Sequence, residues 1–207
     1  MISLKNISHD YEGEKVLHDI SFTIQKGEFV FLSGESGSGK STLLSIMSTL
    51  MKASQGHLAL LEQDIDSIKN IDAFRQSKIG FVFQFHYLIE YLSIYENLKL
   101  AALPQMQENI QTLVEELGIS ELLDRYPNEI SGGQRQRVAL ARALVNDAEI
   151  VFADEPTGSL DSKNSQIVYE LLHKVAKKGT TVVVASHDMQ VKEYADSVIR
   201  LIDGKIS

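Results

Sequence analysis

The sequence predicts an α/β domain, in which a phosphate-binding core on a parallel sheet is led by an antiparallel β portion and interrupted by an inserted helical subdomain. Three observations predict it. Gly34-Glu35-Ser36-Gly37-Ser38-Gly39-Lys40-Ser41 matches the pattern G-x-x-x-x-G-K-[ST] and lies between the apolar run Phe29–Leu32 and the apolar-periodic stretch Thr42–Met47. The runs Glu149–Ala153 and Thr180–Ala185 are continuous and rich in branched residues, as strands buried on both faces are. Between these flanks, residues from about 85 to 140 change to helical spacing.

Taken in order, residues 1–32 alternate apolar and polar in short runs: Ile2/Leu4, Ile7, then Ile20–Ile24, punctuated by Gly13 and Gly27. They predict an antiparallel portion leading into the first parallel strand. A helix over 42–52, a turn at Gln55-Gly56, a strand over 57–61 and a buried strand over 79–83 follow. The helical block shows apolar residues at Leu98/Ala101/Ala102, Ile110/Leu113/Val114/Leu117 and Val138/Leu140/Ala141/Leu144, with Gly118 and Pro127 ending segments. A helix over 164–176 separates the last two buried strands. The tail Ser197–Ile206 closes as a hairpin around Asp203-Gly204. The organisation expected is one domain over 1–207: core and β portion in 1–84 and 145–207, helical subdomain in about 85–144.

Composition narrows the chemistry. With 207 residues the chain is long enough for a sizeable single core. A formal charge of −8 argues against a nucleic-acid surface, and no Lys/Arg run exceeds the pair Lys177-Lys178. Cysteine is absent, so disulfides, thiolate metal sites and cysteine nucleophiles are excluded. No apolar run approaches the roughly 20 residues needed to span a bilayer. The N-terminal segment alternates like a strand and lacks the basic and apolar regions of a signal peptide. The expected location is cytoplasmic, with any membrane role exercised through another chain.

The loop carries the strongest chemical signal. A Gly/Ser-rich octet by itself is a flexible turn, but where a strand feeds a helix, glycines let successive N–H groups from about Gly37 to Thr42 point at phosphate oxygens. Lys40 would then reach the β- and γ-phosphates, and the Ser41 hydroxyl would ligate Mg²⁺. Asp154 and Glu155 follow the buried run Ile150–Ala153. Alone they read as a solvated turn; beside a phosphate loop, Asp154 reads as a Mg²⁺ holder and Glu155 as the general base for an attacking water. His187 ends the run Thr180–Ala185, where an imidazole can contact a γ-phosphate. Gln84 ends the strand over 79–83 within reach of Mg²⁺ or the lytic water. Ser131-Gly132-Gly133-Gln134 opens an arginine-bearing helix, either as a simple cap or as a second anion site. It stands more than ninety residues beyond Gly34. One complete cradle and one half-cradle suggest two chains completing each other's sites.

These residues together resemble the nucleotide-binding subunit of ATP-binding-cassette transporters, a P-loop NTPase core with the ABC ATPase fold, and the resemblance runs from end to end. Gly34–Ser41 is similar to the Walker A loop, with Glu35, Ser36 and Ser38 inside it and Thr42 after it. Ile150–Asp154 is similar to the Walker B strand, Glu155 to the catalytic glutamate, Ser131–Gln134 to the signature, Ser159–Asp161 to the D-loop, Gln84 to the Q-loop and His187 to the H-loop. Tyr11 stands where the family stacks an aromatic ring on adenine. The resemblance implies ATP and Mg²⁺ as cofactors, with Ser41, Gln84 and Asp154 at the metal. It also implies a head-to-tail homodimer in which Ser131, Gly132, Gly133, Gln134 and Asp161 serve the opposite chain's nucleotide, while Lys40 and His187 serve their own. An integral-membrane permease subunit would dock near Gln84–Leu92, holding the chain at the cytoplasmic face of the membrane. The run Asp154–Asp161 is especially similar to the branch that serves lipoprotein release, macrolide export and cell division. A non-transport regulator of cell division or a cofactor-assembly ATPase is the alternative implied. Ile130 departs from the usual Leu, and Tyr87 and Glu90 from the usual Asn and Pro.

Overall fold

Alternation along the core strands explains the layering. In β3 (Phe29–Ser33), Phe29 and Phe31 face one way and Val30 and Leu32 the other, and all four are fully buried. The same division holds in β7 (Ile150–Asp154) and β8 (Thr181–Ser186). Val151, Ala153, Val182 and Val184 join Phe29 and Phe31 in one apolar cluster; Ile150, Phe152, Val183 and Ala185 join Val30 and Leu32 in another. A strand apolar on both faces needs a layer on each side.

The computed structural model describes all 207 residues. One layer is antiparallel: β1 (Ile2–Tyr11), β2 (Glu14–Ile24), β4 (Gln55–Leu60) and β5 (Gln63–Asp64) form a sheet of order β2-β1-β4-β5. With α1 (Lys40–Met47) it covers the Val30/Leu32 face. The opposite face is covered by α5 (Gly132–Leu144) and α6 (Ser162–Lys177). The central sheet adds β6 (Ile79–Phe83), β9 (Ser197–Ile202) and β10 (Lys205–Ile206), in the order β10-β9-β3-β8-β7-β6. It is parallel except for β10, which turns back on β9 through Asp203 and Gly204, both at positive φ, as the tail's turn chemistry predicts.

Some expected elements shift. The first helix ends at Met47, short of residue 52, because Thr49 turns left-handed at φ 63 and the Leu50 and Met51 amides both return to the Ser45 carbonyl. Gln55-Gly56 opens β4 instead of forming a turn, at an irregular step in the pairing with β1. α2 (Ile71–Lys78) has no fully buried residue, so no apolar stripe announces it; Asn70 caps it by accepting from the Ala73 amide at 3.0 Å. The block over 85–140 holds only two further α-helices before α5, namely α3 (Ile94–Ala101) and α4 (Ile110–Glu116), linked by short 3₁₀ turns. No helix is long and apolar enough to cross a membrane.

Helix α5 lies tightly on β6 at Gly80. A Cβ there would fall on the Ala143 carbonyl oxygen, a backbone atom that cannot swing aside. Gly80→Ala is therefore expected to destabilise the chain by about 1–3 kcal/mol, read as a lowered urea midpoint; an unchanged midpoint would show that α5 can withdraw from the sheet freely.

Candidate active site

The parallel strands end together. Ser33 pairs with Ser186, Asp154 with Ala185 and Phe83 with Asp154, so the segments leaving β3, β8, β7 and β6 emerge along one edge. That edge collects Gly34–Ser41, Ser186-His187, Asp154-Glu155 and Gln84. A cavity of about 420 Å³ lies over the loop, lined by Ser36, Gly37, Gly39, Lys40, Ser41, Thr42, Glu155, His187 and, from β2, Val16.

The loop is built to receive an anion. Gly39, the N-cap of α1, sits at φ 98, which only glycine adopts without strain, and thereby turns the chain into the helix. The amides of Gly37, Gly39, Lys40, Ser41 and Thr42 donate to no acceptor within the chain. Ser38 Oγ is buried with no partner. Unpaired donors gathered at a helix N-terminus fit a polyphosphate. Lys40 is buried, and its ammonium donates to the Gly34 and Glu35 carbonyls at 2.8 and 2.9 Å, curled back over the loop.

Beside it, the Ser41 hydroxyl donates to Asp154 Oδ1 at 3.2 Å. Burial pushes the Asp154 carboxyl above its ordinary range, and the nearby Glu155 charge adds to the shift while the Ser41 bond opposes it. A desolvated carboxylate against a hydroxyl is the donor set a Mg²⁺ ion accepts. Gln84 is set back from this pair, with its amide against Gly158 on the turn after Glu155.

Glu155 occupies a strained position at φ 46, its amide donating to the Ala185 carbonyl at 2.8 Å. Its Oε2 accepts from the Ser186 hydroxyl at 2.9 Å and lies 2.9 Å from His187 Nδ1. The His187 side chain is mostly exposed, whereas that of Glu155 is largely covered. A carboxylate and an imidazole thus face the cavity together.

Of the expected residues, Gly34, Glu35, Ser38, Gln84 and Asp154 do not line this cavity, and neither do Tyr11, Ser131–Gln134 or Asp161. Tyr11 does not line it; its ring stands edge-on to His9 with centroids 4.8 Å apart, and its hydroxyl lies 3.3 Å from Met51 Sδ. Ser131–Gln134 are absent from it too. Ser131 caps α5 through a reciprocal pair of bonds, accepting from the Gln134 amide at 3.3 Å while its own amide donates to Gln134 Oε1 at 2.8 Å. Gly133 is sterically required, since a Cβ would collide with Asn164 Oδ1. The Asn164 backbone amide donates to Asp161 Oδ1 at 2.8 Å and its side-chain amide to both carboxylate oxygens, and these bonds, the backbone one foremost, hold the Asp161 carboxyl below its ordinary range. Ser131–Gln134 and Asp161 therefore form a second group of their own, with Ser131, Gly132 and Asp161 exposed and Gly133 buried.

Sequence reasoning missed several neighbours. Val16 lies on an alternating strand and carries no chemical mark. Ser186 precedes His187 as one more strand residue, yet it holds Glu155. Arg142 has its helical spacing on α5, but only the fold shows its guanidinium donating to the Tyr87 and His86 carbonyls at 2.6 and 2.7 Å.

A family model described as ABC transporter matches residues 17–158. Over its whole length the chain is 42% identical to the macrolide export ATP-binding/permease protein MacB of Campylobacter jejuni, of which it spans 33%. It is 40% identical to the lipoprotein-releasing system ATP-binding protein LolD of Aquifex aeolicus, again over the whole chain, and spans 96% of that protein. Among solved structures, a dimeric ATP-binding cassette in a post-hydrolysis state with ADP and Pi bound superposes with a TM-score of 0.89 at 34% identity, covering 100% of this chain and 97% of that one. The chain is thus matched along its whole length, and it belongs to the ABC transporter family as one of its ATP-hydrolysing cassettes.

Proposed function

We propose that the chain is the motor subunit of a membrane transporter, closing head-to-tail on a second copy with Mg·ATP held between them. The observation that carries this is the separation of the two anion-binding groups: the loop with Glu155 and His187 lines one cavity, and Ser131–Gln134 with Asp161 lies outside it. Ser131 and Gly133 then meet the γ-phosphate bound by the opposite chain, and Asp161 lies along the same seam. The cassette dimer among the similar structures supports that arrangement.

Within one chain, the loop amides and Lys40 bind the phosphates, with Lys40 exchanging its two carbonyl partners for phosphate oxygens. Ser41 and Asp154, with Gln84 behind them, hold Mg²⁺, which supplies charge neutralisation on the phosphates. Glu155 accepts the proton of the attacking water, and His187 contacts the γ-phosphate. Tyr11 stacks on adenine from the rim, where its ring is 45% exposed.

The block 85–144 acts as an arm joining this engine to a partner. Phe85, Tyr87 and Tyr91 are 65, 64 and 81% exposed, an aromatic surface fit for a docking segment of a permease. Arg142 anchors the backbone beneath it to α5, the helix that begins at the signature. The names of the macrolide export protein MacB and the lipoprotein-releasing system protein LolD point to macrolide export or lipoprotein release, with this chain at the cytoplasmic face of a membrane.

Three outcomes test the reading. Glu155→Gln is expected to bind ATP, accumulate as a dimer by light scattering and lose about 10²–10⁴-fold in kcat; turnover near that of the wild type would remove Glu155 as the base. Ser131→Arg should cost about a hundredfold or more in hydrolysis while monomer affinity for ATP holds; equal loss of both would put Ser131 and the loop in the same chain's site. Asp154 offers a thermal test. Its carboxyl is raised above the ordinary value, so its contribution to stability is present below that value and lost as pH rises through the raised one. At neutral pH the ionised group weighs against the fold. Asp154→Asn should melt about 1–4 °C higher than the wild type without nucleotide, yet gain nothing further from Mg²⁺ with ATP. A lower melting point would show that the carboxylate stabilises the fold.

A further inference from the structure

Helix α6 carries a feature that the roles above leave unused. Its buried face runs Ser165, Val168, Tyr169, Leu172 and Ala176, at the spacing of an amphipathic helix. Among these apolar positions stands a tyrosine whose ring and hydroxyl are wholly enclosed. The hydroxyl lies 2.5 Å from Thr157 Oγ1 and 3.1 Å from Asp188 Oδ2. Thr157 is two residues past Glu155, and Asp188 is one past His187.

The directions of these bonds follow from donor inventory. An ionised carboxylate only accepts, so Tyr169 donates to Asp188; its single proton is then committed, and the Thr157 hydroxyl must donate to Tyr169. Burial, the leading cause, pushes the phenol's ionisation far above its ordinary value, so it keeps that proton throughout the neutral range. From Asp188 the chain continues: its amide donates to Ser186 Oγ at 3.0 Å, and Ser186 donates to Glu155 Oε2 at 2.9 Å. Tyr169 thus ties together the two segments that carry the cavity's carboxylate and imidazole. The phosphate loop has no part in this chain and is anchored instead between β3 and α1.

We propose that Tyr169 is a positioning residue for hydrolysis, locking the turn Glu155–Asp161 to the segment Ser186–Asp188 so that Glu155 and His187 keep one mutual geometry. The inference rests on Glu155 being the base, as proposed above. Glu155 sits at strained φ on a turn whose backbone meets β8 through the Glu155 amide and the Ala185 carbonyl at 2.8 Å and is otherwise tied locally, the Gly158 amide donating to the Glu155 carbonyl at 3.1 Å and the Leu160 amide to the Thr157 carbonyl at 2.9 Å. When Glu155 exchanges Ser186 and His187 for a water, the backbones on both sides must stay in place. The Tyr169 hydroxyl adds a second link farther along both segments, joining Thr157 to Asp188.

The test uses the full chain with Mg·ATP and measures kcat, KM, ATP affinity and melting temperature. Tyr169→Phe keeps the ring and removes the link. It is expected to lower kcat about tenfold with KM and ATP affinity within about twofold. Thr157→Val should act in the same direction, Thr157→Ser should restore turnover, and Tyr169→Phe with Thr157→Val should be no slower than Tyr169→Phe alone, because that variant already removes the Thr157 bond together with the Asp188 bond. A tyrosine that merely fills the core would leave kcat unchanged in Tyr169→Phe, or would loosen kcat and ATP affinity together; either result overturns the proposal, as does full additivity of the pair. If Tyr169→Phe does not fold, the Thr157 variants decide by the same criteria. Glu155→Gln measured in parallel separates the two levels. Slow Glu155→Gln with fast Tyr169→Phe removes only the positioning role, whereas fast Glu155→Gln removes the base, and the positioning role with it.

Discussion

Everything chemical in this molecule depends on the register of four neighbouring parallel strands. The pairings of β3 with β8, β8 with β7 and β7 with β6 bring Ser33, Ser186, Asp154 and Phe83 to one line. A slip of one residue would displace a chemical group by about 3.3 Å and turn every side chain to the other face. Because β3, β7 and β8 are apolar on both faces, a slip would not strand polar groups in the core. What fixes register is the shape of the side chains against their layers: Phe29 and Phe31 in the cluster shared with α5 and α6, Val30 and Leu32 in the one shared with α1 and the antiparallel sheet. Alignment of the site is thus a by-product of packing at residues that never meet a nucleotide.

In the resting structure each charged group of the site is answered from within the chain. Lys40 holds two carbonyls, Asp154 holds Ser41, and Glu155 holds Ser186 and faces His187. A ligand must exchange these bonds and does not simply add to them, so affinity reflects the difference between two satisfied states. The loop amides and Ser38 Oγ stand without an internal partner, and their engagement costs no exchange. On the proposed reading this contrast separates binding, which draws on unpaired donors, from hydrolysis, which requires Glu155 to be released from partners already in place.

The buried strands and the phosphate loop were legible because their signals are local: a run of branched residues, or glycines at fixed spacing before Lys40. The end of α1 was not, because it is decided by the left-handed Thr49 and two amides returning to Ser45, which no apolar pattern encodes. α2 was invisible for the opposite reason, having only half-covered and exposed residues and being held by its Asn70 cap instead of a buried stripe. Within the site, residue types with a known chemistry were legible and their supports were not. Glu155 announces itself after a buried run; Ser186 and Tyr169 look like ordinary strand and helix residues until folding brings them beside it. Tyr11 illustrates a further limit, since residue type and order find the aromatic but not the side on which its ring rests, against His9.

The second anion-binding group explains why the helical block must be both attached and separate. Its helix α5 makes contacts of different kinds at its two ends. At one, Gly133 lies against Asn164, which donates to Asp161, so the signature cap adjoins the turn after Glu155. At the other, Arg142 on the same helix grips the backbone of His86 and Tyr87, beneath the exposed aromatics and two residues beyond Gln84. Eleven residues of one helix, from Gly132 to Arg142, therefore span from the cap to the aromatic surface. A helix transmits a rotation with little loss, whereas a loop would absorb it. On the proposed reading, closing of the seam by ATP need not reach the permease through the catalytic groups at all. It reaches it along α5, which places the signature and the docking surface on opposite ends of one lever.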